Sequence, residues 1–331
     1  MNDSDFQGPL FIVGCGRSGT KLLRNLLNNH PQIGILGFET NFIPLFVKRF
    51  GKTPDFSDEA TLRAVHDALT QTAFYQSRRA EGVTMSYEQL KAHLREVETE
   101  VAWRHVIEGI CKFYLDNPSA AIWGDKSPDY TVHIPLLREI FPPARFIHII
   151  RDPRDRSLSA RRTWGKSVLR SAHGWCGVME RVEKAGVRAD ADYLEVFYEQ
   201  LIEEPEKVMR GICDFLSIPF HEGLLVVDQP AEAVGKTERL TEFVASNKAK
   251  YRKELSPYEI RRASEITFPY LEAFGYPLEG AKAHRELSPL FLNLLKLTDG
   301  LSTLQIHMQK KGFAQGLRYY VKRNREGRAK A

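Results

Sequence analysis

A glycine-rich stretch near the N-terminus has the residue types that bind a phosphate or sulfate group. It runs Gly14-Cys15-Gly16-Arg17-Ser18-Gly19-Thr20-Lys21, between an apolar run and a leucine-rich helical pattern. Glycines allow a tight turn, and the N–H groups of such a loop form an anion cradle with the N-terminus of the following helix. The cations and hydroxyls inside the loop favour this interpretation over a plain tight turn.

The order of residues in this loop differs from that of a nucleotide-hydrolysing P-loop. In that loop, GxxxxGK[ST], the lysine contacts the β- and γ-phosphates and the hydroxyl binds Mg²⁺. Gly14 and Gly19 have the same spacing, but Thr20-Lys21 follows in the reverse order and Arg17 lies inside the loop. The metal-binding hydroxyl and the phosphate-binding lysine are therefore displaced, which argues against a kinase.

Apolar periodicity predicts the elements that position this loop. Short apolar runs predict buried strands at 10–13, 145–150 and 193–197, and leucines at helical spacing predict helices at 20–29 and 205–216. Several helical patterns between residues 46 and 121 predict a helical insertion. We therefore predict an α/β fold, a P-loop-type parallel sheet flanked by helices, with this insertion and a basic, helical or disordered C-terminal extension.

Composition and charge exclude several classes of protein. The 331 residues are 43% hydrophobic and 27% charged, which excludes collagen-like, low-complexity and coiled-coil chains. Residues 281–331 hold 11 Lys and Arg against three Asp and Glu, whereas the rest of the chain is nearly neutral. This distribution is not that of a nucleic-acid-binding domain. The basic tail, from about residue 309, is either a solvated segment or a contact for an anionic surface or a partner.

The N-terminal sequence and the cysteines lead to a prediction of location. The sequence MNDSDFQGPL is acidic and polar, unlike a signal peptide, and no apolar run approaches the roughly 20 residues of a membrane span. The four cysteines form no CxxC spacing, so neither a zinc site nor a disulfide framework is expected. We therefore predict a cytoplasmic protein.

Two segments resemble the signatures of the sulfotransferase family. FIVGCGRSGTKLLRNLLNNHP, residues 11–31, resembles the family's 5′-phosphosulfate loop, an Arg or Lys followed by SGT and a helix. IIRDPRDRSLSA, residues 149–160, resembles its 3′-phosphate site, with Arg151 at a strand end and Ser159 eight residues later. Residues 196–220 are similar to the family's YEDL…P…FL segment. The pattern is most similar to that of the tyrosylprotein sulfotransferase branch.

The resemblance implies a donor and the residues that bind it. The donor would be 3′-phosphoadenosine-5′-phosphosulfate (PAPS) and the product adenosine 3′,5′-bisphosphate, with no metal required. The donor's 5′-phosphosulfate would contact the loop residues Gly16, Arg17, Ser18, Gly19, Thr20 and Lys21. Arg151 and Ser159 would bind the 3′-phosphate, which distinguishes this donor from ATP. Other arginines nearby are alternatives, and we expect most of them to be surface charges: Arg154, Arg156, Arg161 and Arg162.

Two more parts of the donor site are implied. Tyr198 resembles a family tyrosine that contacts the donor nucleotide, with simple packing as the alternative. Residues 234–251 resemble the loop that closes over the nucleotide, although Gly235 stands where the tyrosylprotein branch has a serine. Lys250 is the candidate there for the 3′-phosphate, and Lys248 and Arg252 remain alternatives.

Lys126 and Glu39 are the implied catalytic residues. Lys126 lies 25 residues before Arg151, where the branch has NKDP, and would stabilise the leaving group together with Arg17. Its alternative is a surface lysine in a turn. Glu39 lies in GFETN, one residue displaced from the glutamate of the branch's GEETR, and would be the general base. Its alternative is a carboxylate that only pairs with Arg17 or Lys126.

Other residues give alternatives for the base and for acceptor recognition. The cytosolic sulfotransferases use a histidine base, and the candidates here are His105, His133, His148 and His173, although His148 is expected in the core. Phe38 and Asn41 replace a glutamate and an arginine of the tyrosylprotein branch, which argues against its acidic-peptide recognition. Four aromatic residues could stack on an acceptor or belong to the core: Trp103, Phe113, Trp164 and Trp175.

These observations predict a sulfotransferase domain over residues 1–280, with the insertion at 46–121 on the acceptor side, and an extension over 281–331. The predicted activity is in-line transfer of the sulfuryl group of PAPS to an acceptor hydroxyl. A glycan, a lipid-linked precursor or a metabolite is favoured as acceptor over a peptide tyrosine, and no nucleic acid is expected as a partner. The rival hypotheses are a P-loop kinase of small molecules and a non-catalytic nucleotide-binding pseudoenzyme or scaffold.

Overall fold

The computed structural model describes residues 6–228, 243 and 246–312. The described chain forms two compact units, one of residues 6–150 and 185–228 and the other of residues 151–184, 243 and 246–312. Gly235 with most of the predicted nucleotide-closing loop, and the tail after residue 312, lie outside the described residues. The predicted domain limits stay a prediction.

The first unit is built on five parallel strands. These are β1 Leu10–Gly14, β2 Ile33–Ile35, β3 Ile122–Lys126, β4 Arg145–Ile150 and β5 Tyr193–Phe197, in the order β2-β3-β1-β4-β5. The central strand β1 is wholly buried, and Leu10 pairs with Gly124 of β3 and with Arg145 of β4. The predicted parallel α/β sheet is therefore confirmed.

Helices flank this sheet and form the insertion. In the first unit they are α1 Thr20–Asn28, α2 Ile43–Phe50, α3 Glu59–Thr70, α4 Ala73–Ala80, α5 Tyr87–Arg95, α6 Trp103–Phe113, α7 Ile134–Ile140, α10 Tyr198–Glu203 and α11 Pro205–Leu216. Helices α2 to α6 precede β3, so the predicted insertion is indeed helical. Side chains of Asp58, Thr72 and Ser86 cap the N-termini of α3, α4 and α5, which satisfies backbone N–H groups that a helix leaves unpaired.

Strands β2 and β3 were not predicted, because their sequences carry little strand signal. β3 reads Ile-Trp-Gly-Asp-Lys, with a glycine and two charges, yet all five residues are buried. A Cβ at Gly124 would lie 2.3 Å from the carbonyl oxygen of Leu10. Glycine is therefore needed for the close approach of β3 to β1, and a low strand propensity is overridden by packing.

The described residues of the second unit form helices joined by loops, without a strand. Its helices are α8 Pro153–Trp164, α9 Val168–Lys184, α12 Tyr251–Glu254, α13 Pro257–Ile266, α14 Phe268–Ala273 and α15 Pro289–Lys311. Leu158, Leu169 and Ile266 belong to its apolar core. None of the described helices in either unit is long and apolar enough to span a membrane.

A buried arginine organises the polar part of this second core. Arg154 is fully buried, and its Nε and Nη2 donate to the two carboxylate oxygens of Asp152 at 2.9 and 2.7 Å. Its Nη1 donates to Ser264 Oγ and to the carbonyl of Pro277. Arg154 is therefore not one of the surface charges expected among these arginines but a structural cation whose donors are engaged within the protein.

Replacing Arg154 by alanine should strongly destabilise the protein. The change leaves Asp152 buried without its cation, a loss that costs about 3–5 kcal/mol. Arg162→Ala, on the same helix, removes a partly exposed pair with Glu254 and should cost about 1 kcal/mol or less. Urea unfolding of both variants checks this, and equal losses would contradict the role given to Arg154.

Candidate active site

The glycine-rich loop connects β1 to α1 and has the backbone of an anion cradle. Ser18 N donates to Cys15 O at 3.1 Å, and Arg17 has a positive φ of 77°. Gly19, in the left-handed conformation, precedes α1, and no side chain caps the first turn of that helix. The hydroxyl Oγ of Ser18 is buried and has no hydrogen-bond partner among the described residues. An unpartnered buried hydroxyl beside uncapped helix N–H groups suits an anionic ligand.

Neighbouring segments hold this loop closely. Gly14 N donates to Thr131 Oγ1 at 2.7 Å, from the 3₁₀ segment Pro128–His133 that follows β3. A Cβ at Gly19 would lie 2.4 Å from the ring of Tyr198. The predicted residue Tyr198 is thus buried against the loop, at the start of α10. Its contact with a donor nucleotide stays a prediction.

Lys126 and Glu39 lie in direct contact. Lys126 Nζ donates to Glu39 Oε1 at 2.6 Å, and Asn41 Nδ2 donates to Glu39 Oε2 at 3.3 Å. The side chain of Lys126 is 9% exposed and that of Glu39 is 41% exposed. Lys126 is the last residue of β3, so the alternative of a surface lysine in a turn is wrong. In this pair the carboxylate of Glu39 is accessible to solvent, whereas the ammonium of Lys126 is largely buried.

A buried polar network lies beside this pair and was missed by sequence reasoning. Thr40 Oγ1 donates to Asp125 Oδ2 at 2.8 Å and lies 2.7 Å from the hydroxyl of Tyr130. Tyr130 Oη also accepts from the backbone N–H of Ile43 at 3.1 Å. Asp125 precedes Lys126 and Thr40 follows Glu39, so the network fixes the backbone on both sides of the ion pair. One signal of this network was present in the sequence, a polar residue next to each predicted catalytic residue: Asp125 beside Lys126 and Thr40 beside Glu39.

Arg24 supports the same region from α1. This buried arginine donates through Nη1 to the carbonyl of Gly37 and through Nε to Asn25 Oδ1 at 3.0 Å. Burial lowers the pKa of Arg24, while the charges of Asp116 and Glu39 act in the opposite direction. Arg24 therefore holds the segment that leads to Glu39, a role that its place in a leucine-rich helix did not indicate.

The predicted 3′-phosphate residues lie in the second unit. Arg151 is buried and its Nη2 donates to the carbonyl of Asn247 at 3.1 Å. The N–H of Tyr251 donates to Asp155 Oδ1 at 2.9 Å. The segment 247–251, which includes Lys248 and Lys250, therefore contacts the start of α8, on which the partly exposed Ser159 lies one turn further.

The alternative cations mostly have protein partners of their own. Arg252 pairs with Glu279 through Nη2 at 2.6 Å, and Arg161 pairs with Glu259 at 2.8 Å. Arg156 Nη1 donates to the carbonyl of Ser171 at 3.1 Å. These contacts show that Arg252, Arg161 and Arg156 contribute to the packing of the second unit. The assignment of the 3′-phosphate residues stays a prediction.

The histidines and tryptophans separate into core and partly exposed residues. His148 is fully buried, its Nδ1 lies 2.5 Å from the Tyr193 hydroxyl, and burial lowers its pKa to about 3, so the core prediction is confirmed. His105 Nδ1 accepts from Ala102 N at 3.0 Å, and its Nε2 lies 3.0 Å from Arg104 Nε. His133 and His173 are partly exposed. Trp103 and Trp175 are buried, whereas Trp164 and Phe113 are partly exposed.

Burial gives Asp125 an unusual pKa. Desolvation raises the pKa of Asp125 to about 6, although the hydrogen bonds from Thr40 and the charge of Lys126 oppose the shift. The carboxylate is therefore ionised at neutral pH only because these donors and this cation accompany it. No group of residues in the described chain has the composition of a metal site.

Comparisons with known proteins find one family and solved structures of a similar fold. A model described as "Sulfotransferase family" matches residues 9–222. The chain is 28% identical over 289 residues to protein-tyrosine sulfotransferase 1 of Danio rerio, over 81% of this chain and 72% of that protein. It is 27% identical over 251 residues to protein-tyrosine sulfotransferase 2 of Gallus gallus, over 71% and 59% of the two chains. The fold matches the solved sulfotransferase domain of the Synechococcus PCC 7002 olefin synthase with a TM-score of 0.53 and 21% identity, over 81% of this chain and 94% of that domain.

The pH dependence of stability should reveal the buried Asp125. Because burial raises the pKa of Asp125 from the usual 3.8 to about 6 in the folded protein, its protonated form contributes stability that is fully present below pH 3.8 and is lost as the pH rises through about 6. Relative to Asp125→Asn, whose amide does not titrate, the native protein should lose up to about 3 kcal/mol between about pH 4 and about pH 7. Urea unfolding at both pH values measures this difference. The exposed Asp129→Asn is the control, and the same pH slope in both variants would contradict the assignment.

Proposed function

The chain belongs to the sulfotransferase family and is an enzyme of sulfuryl transfer; from this premise we propose that its donor is PAPS and its acceptor group a hydroxyl. Glu39 is the general base, and Lys126 with Arg17 stabilises the leaving group. The observation that carries this proposal is the 2.6 Å contact between Lys126 Nζ and Glu39 Oε1. At the end of β3, this contact brings Glu39, a proton acceptor, next to Lys126, a cation that can stabilise the departing phosphate.

The described residues fit the anionic end of the proposed donor. The loop offers backbone N–H groups, the buried Ser18 hydroxyl and the cation Arg17. Arg151 and Ser159, with Lys250, are proposed to bind the 3′-phosphate. The loop residues lie in the first unit and the proposed 3′-phosphate residues lie in the second. Substitutions can therefore test the two sets separately.

The proposed reaction is an in-line displacement at sulfur. The acceptor oxygen forms a bond to sulfur, the bond from sulfur to the 5′-phosphate oxygen breaks, and the bisphosphate leaves. Glu39 takes the acceptor proton, for which its exposed carboxylate is accessible. The sheltered ammonium of Lys126 stabilises the charge that grows on the leaving oxygen, where it is worth more than a cation in water. Asp125 and Thr40 hold the two residues at this spacing.

The acceptor is proposed to be a hydroxyl of a glycan, a lipid-linked precursor or a metabolite. The names of the relatives favour a second candidate, a peptide tyrosine. Against it, Phe38 and Asn41 replace the glutamate and arginine of the tyrosylprotein branch. Incubating the enzyme and ³⁵S-labelled PAPS with a lysate of the producing cell, and identifying the labelled product, decides between them. The cytoplasmic location stays a prediction.

The donor assignment predicts a ligand preference. Adenosine 3′,5′-bisphosphate should raise the melting temperature, because it binds only the folded protein, and AMP should do so much less. Arg151→Ala should weaken bisphosphate binding by about 2–4 kcal/mol and hardly affect AMP. Calorimetry measures both affinities, with Arg161→Ala, on the following helix α8, as the control. Equal stabilisation by the two nucleotides would sink the 3′-phosphate assignment, and stabilisation by ATP with Mg²⁺ alone would favour the kinase.

The general-base assignment predicts the effect of Glu39→Gln. The amide keeps the shape of the side chain but cannot accept the proton, so turnover should fall roughly 10²–10⁴-fold while bisphosphate affinity is kept. An acidic phenol, which loses its proton easily, should restore part of the rate. Label transfer from ³⁵S-PAPS is the measurement.

Glu139→Gln is the matched control, because it also removes a carboxylate that a lysine contacts, Lys52, at 2.6 Å. It should transfer label at the native rate. Full activity of Glu39→Gln together with an inactive His105→Ala or His173→Ala would move the base to histidine. A native protein that binds the bisphosphate and transfers no label would support the pseudoenzyme.

A further inference from the structure

Helix α15 exposes a row of leucines. Leu290, Leu294, Leu297 and Leu301 are 84%, 53%, 70% and 70% exposed. Their spacing of four, three and four residues keeps them on one face, along about 17 Å of helix. Isolated exposed leucines are ordinary, but a continuous apolar row marks an interaction surface. We call these four side chains the leucine row.

The opposite face of α15 is fixed to the second unit. Phe291, Leu292 and Leu295 pack against the apolar core of this unit. Asp299 is buried and accepts from Ser167 N at 2.8 Å and from Arg170 Nη1 at 2.6 Å. The helix therefore cannot rotate to bury the leucine row without breaking the partly buried ion pair between Asp299 and Arg170, so the second unit itself leaves the row exposed.

The charges around the leucine row indicate what covers it. Between Pro289 and Lys311 the only acidic residue is Asp299, which is engaged on the inner face. From residue 310 to the C-terminus the sequence has eight Lys and Arg and one acid, Glu326. An apolar helix face continued by a cationic sequence is complementary to a bilayer surface that contains acidic phospholipids.

A second copy of the chain fits these charges less well. The positions that flank the row, among them Asn293, Thr298 and Gln305, are uncharged, so they provide no interhelical ion pairs of the kind that select a helical partner.

We infer that α15 docks the protein on the surface of an acidic bilayer, with the leucine row inserted at the headgroup boundary and the cationic sequence from residue 310 onwards attracted to the lipid charge. The helix lies on the bilayer and does not cross it. This inference does not depend on PAPS or on the identity of the acceptor.

Vesicle co-sedimentation of the full chain tests the inference. The protein should bind phosphatidylcholine vesicles that contain about 30% phosphatidylserine, bind pure phosphatidylcholine far less, and be released as salt is raised. Leu290→Gln with Leu297→Gln should weaken binding to the acidic vesicles roughly 10-fold or more. The melting temperature should stay unchanged, because both side chains are exposed.

Matched control variants show whether vesicle binding depends on the leucine row and the cationic sequence in particular, or on any loss of exposed apolar side chains or positive charge. Leu45→Gln with Val226→Gln removes two other exposed apolar side chains and should leave vesicle binding unchanged. Lys322→Gln with Arg323→Gln should reduce binding several-fold, whereas Lys207→Gln with Arg210→Gln, the same charge change on α11, should not.

Three results would overturn the inference. Native-like vesicle binding by the Leu290→Gln, Leu297→Gln variant would show that the leucine row does not contribute to binding. Equal binding to neutral and acidic vesicles would show that lipid charge does not contribute. No vesicle binding by the native protein, with a concentration-dependent dimer in light scattering that the same leucine substitutions abolish, would assign the row to a second copy of the chain.

Discussion

The hydrogen bonds between Asp125 and Thr40 hold together the two chain segments on which the proposed chemistry depends. Asp125 belongs to the buried strand β3 and precedes Lys126, and Thr40 follows Glu39 in a loop. A buried carboxylate is costly unless donors and a cation accompany it. Because burial raises the pKa of Asp125 to about 6, a small loss of these partners would favour its neutral form. The network therefore favours the arrangement in which Glu39 and Lys126 meet.

One short segment connects this network to the anion-binding loop. In the 3₁₀ segment Pro128–His133, the hydroxyl of Tyr130 contacts Thr40, and the neighbouring Thr131 accepts from Gly14 N. The cradle and the ion pair are thus positioned from the same six residues, which follow β3 directly. Such support from packed secondary structure makes a site more precise than one built on free loops. The buried hydroxyls of Tyr130 and Thr131 thus each have a partner in one of the two parts of the site.

Much of the fold could be predicted from the sequence, because apolar runs and leucine spacing report directly on buried strands and helices. These patterns predict three of the strands and two of the helices: β1, β4, β5, α1 and α11. β3 does not follow them, since its glycine and charges lower its strand propensity and only its neighbours explain its burial. Because β3 carries so little strand signal, the sequence left open the alternative that Lys126 is a surface lysine in a turn. The resemblance pointed to Glu39 and Lys126, whereas Thr40, Tyr130 and Arg24 act through contacts distant in sequence that no spacing reveals.

The central claim is that Glu39 and Lys126 work as one catalytic unit, and a double-mutant cycle on turnover tests it most directly. Glu39→Gln, Lys126→Met and the double variant would be compared by label transfer from ³⁵S-PAPS under saturating donor. Residues that act as a unit give strongly non-additive losses. The account therefore predicts a double variant about as slow as the slower single variant. Losses that simply multiply would contradict it, because they would mean that the two side chains act independently despite their 2.6 Å contact.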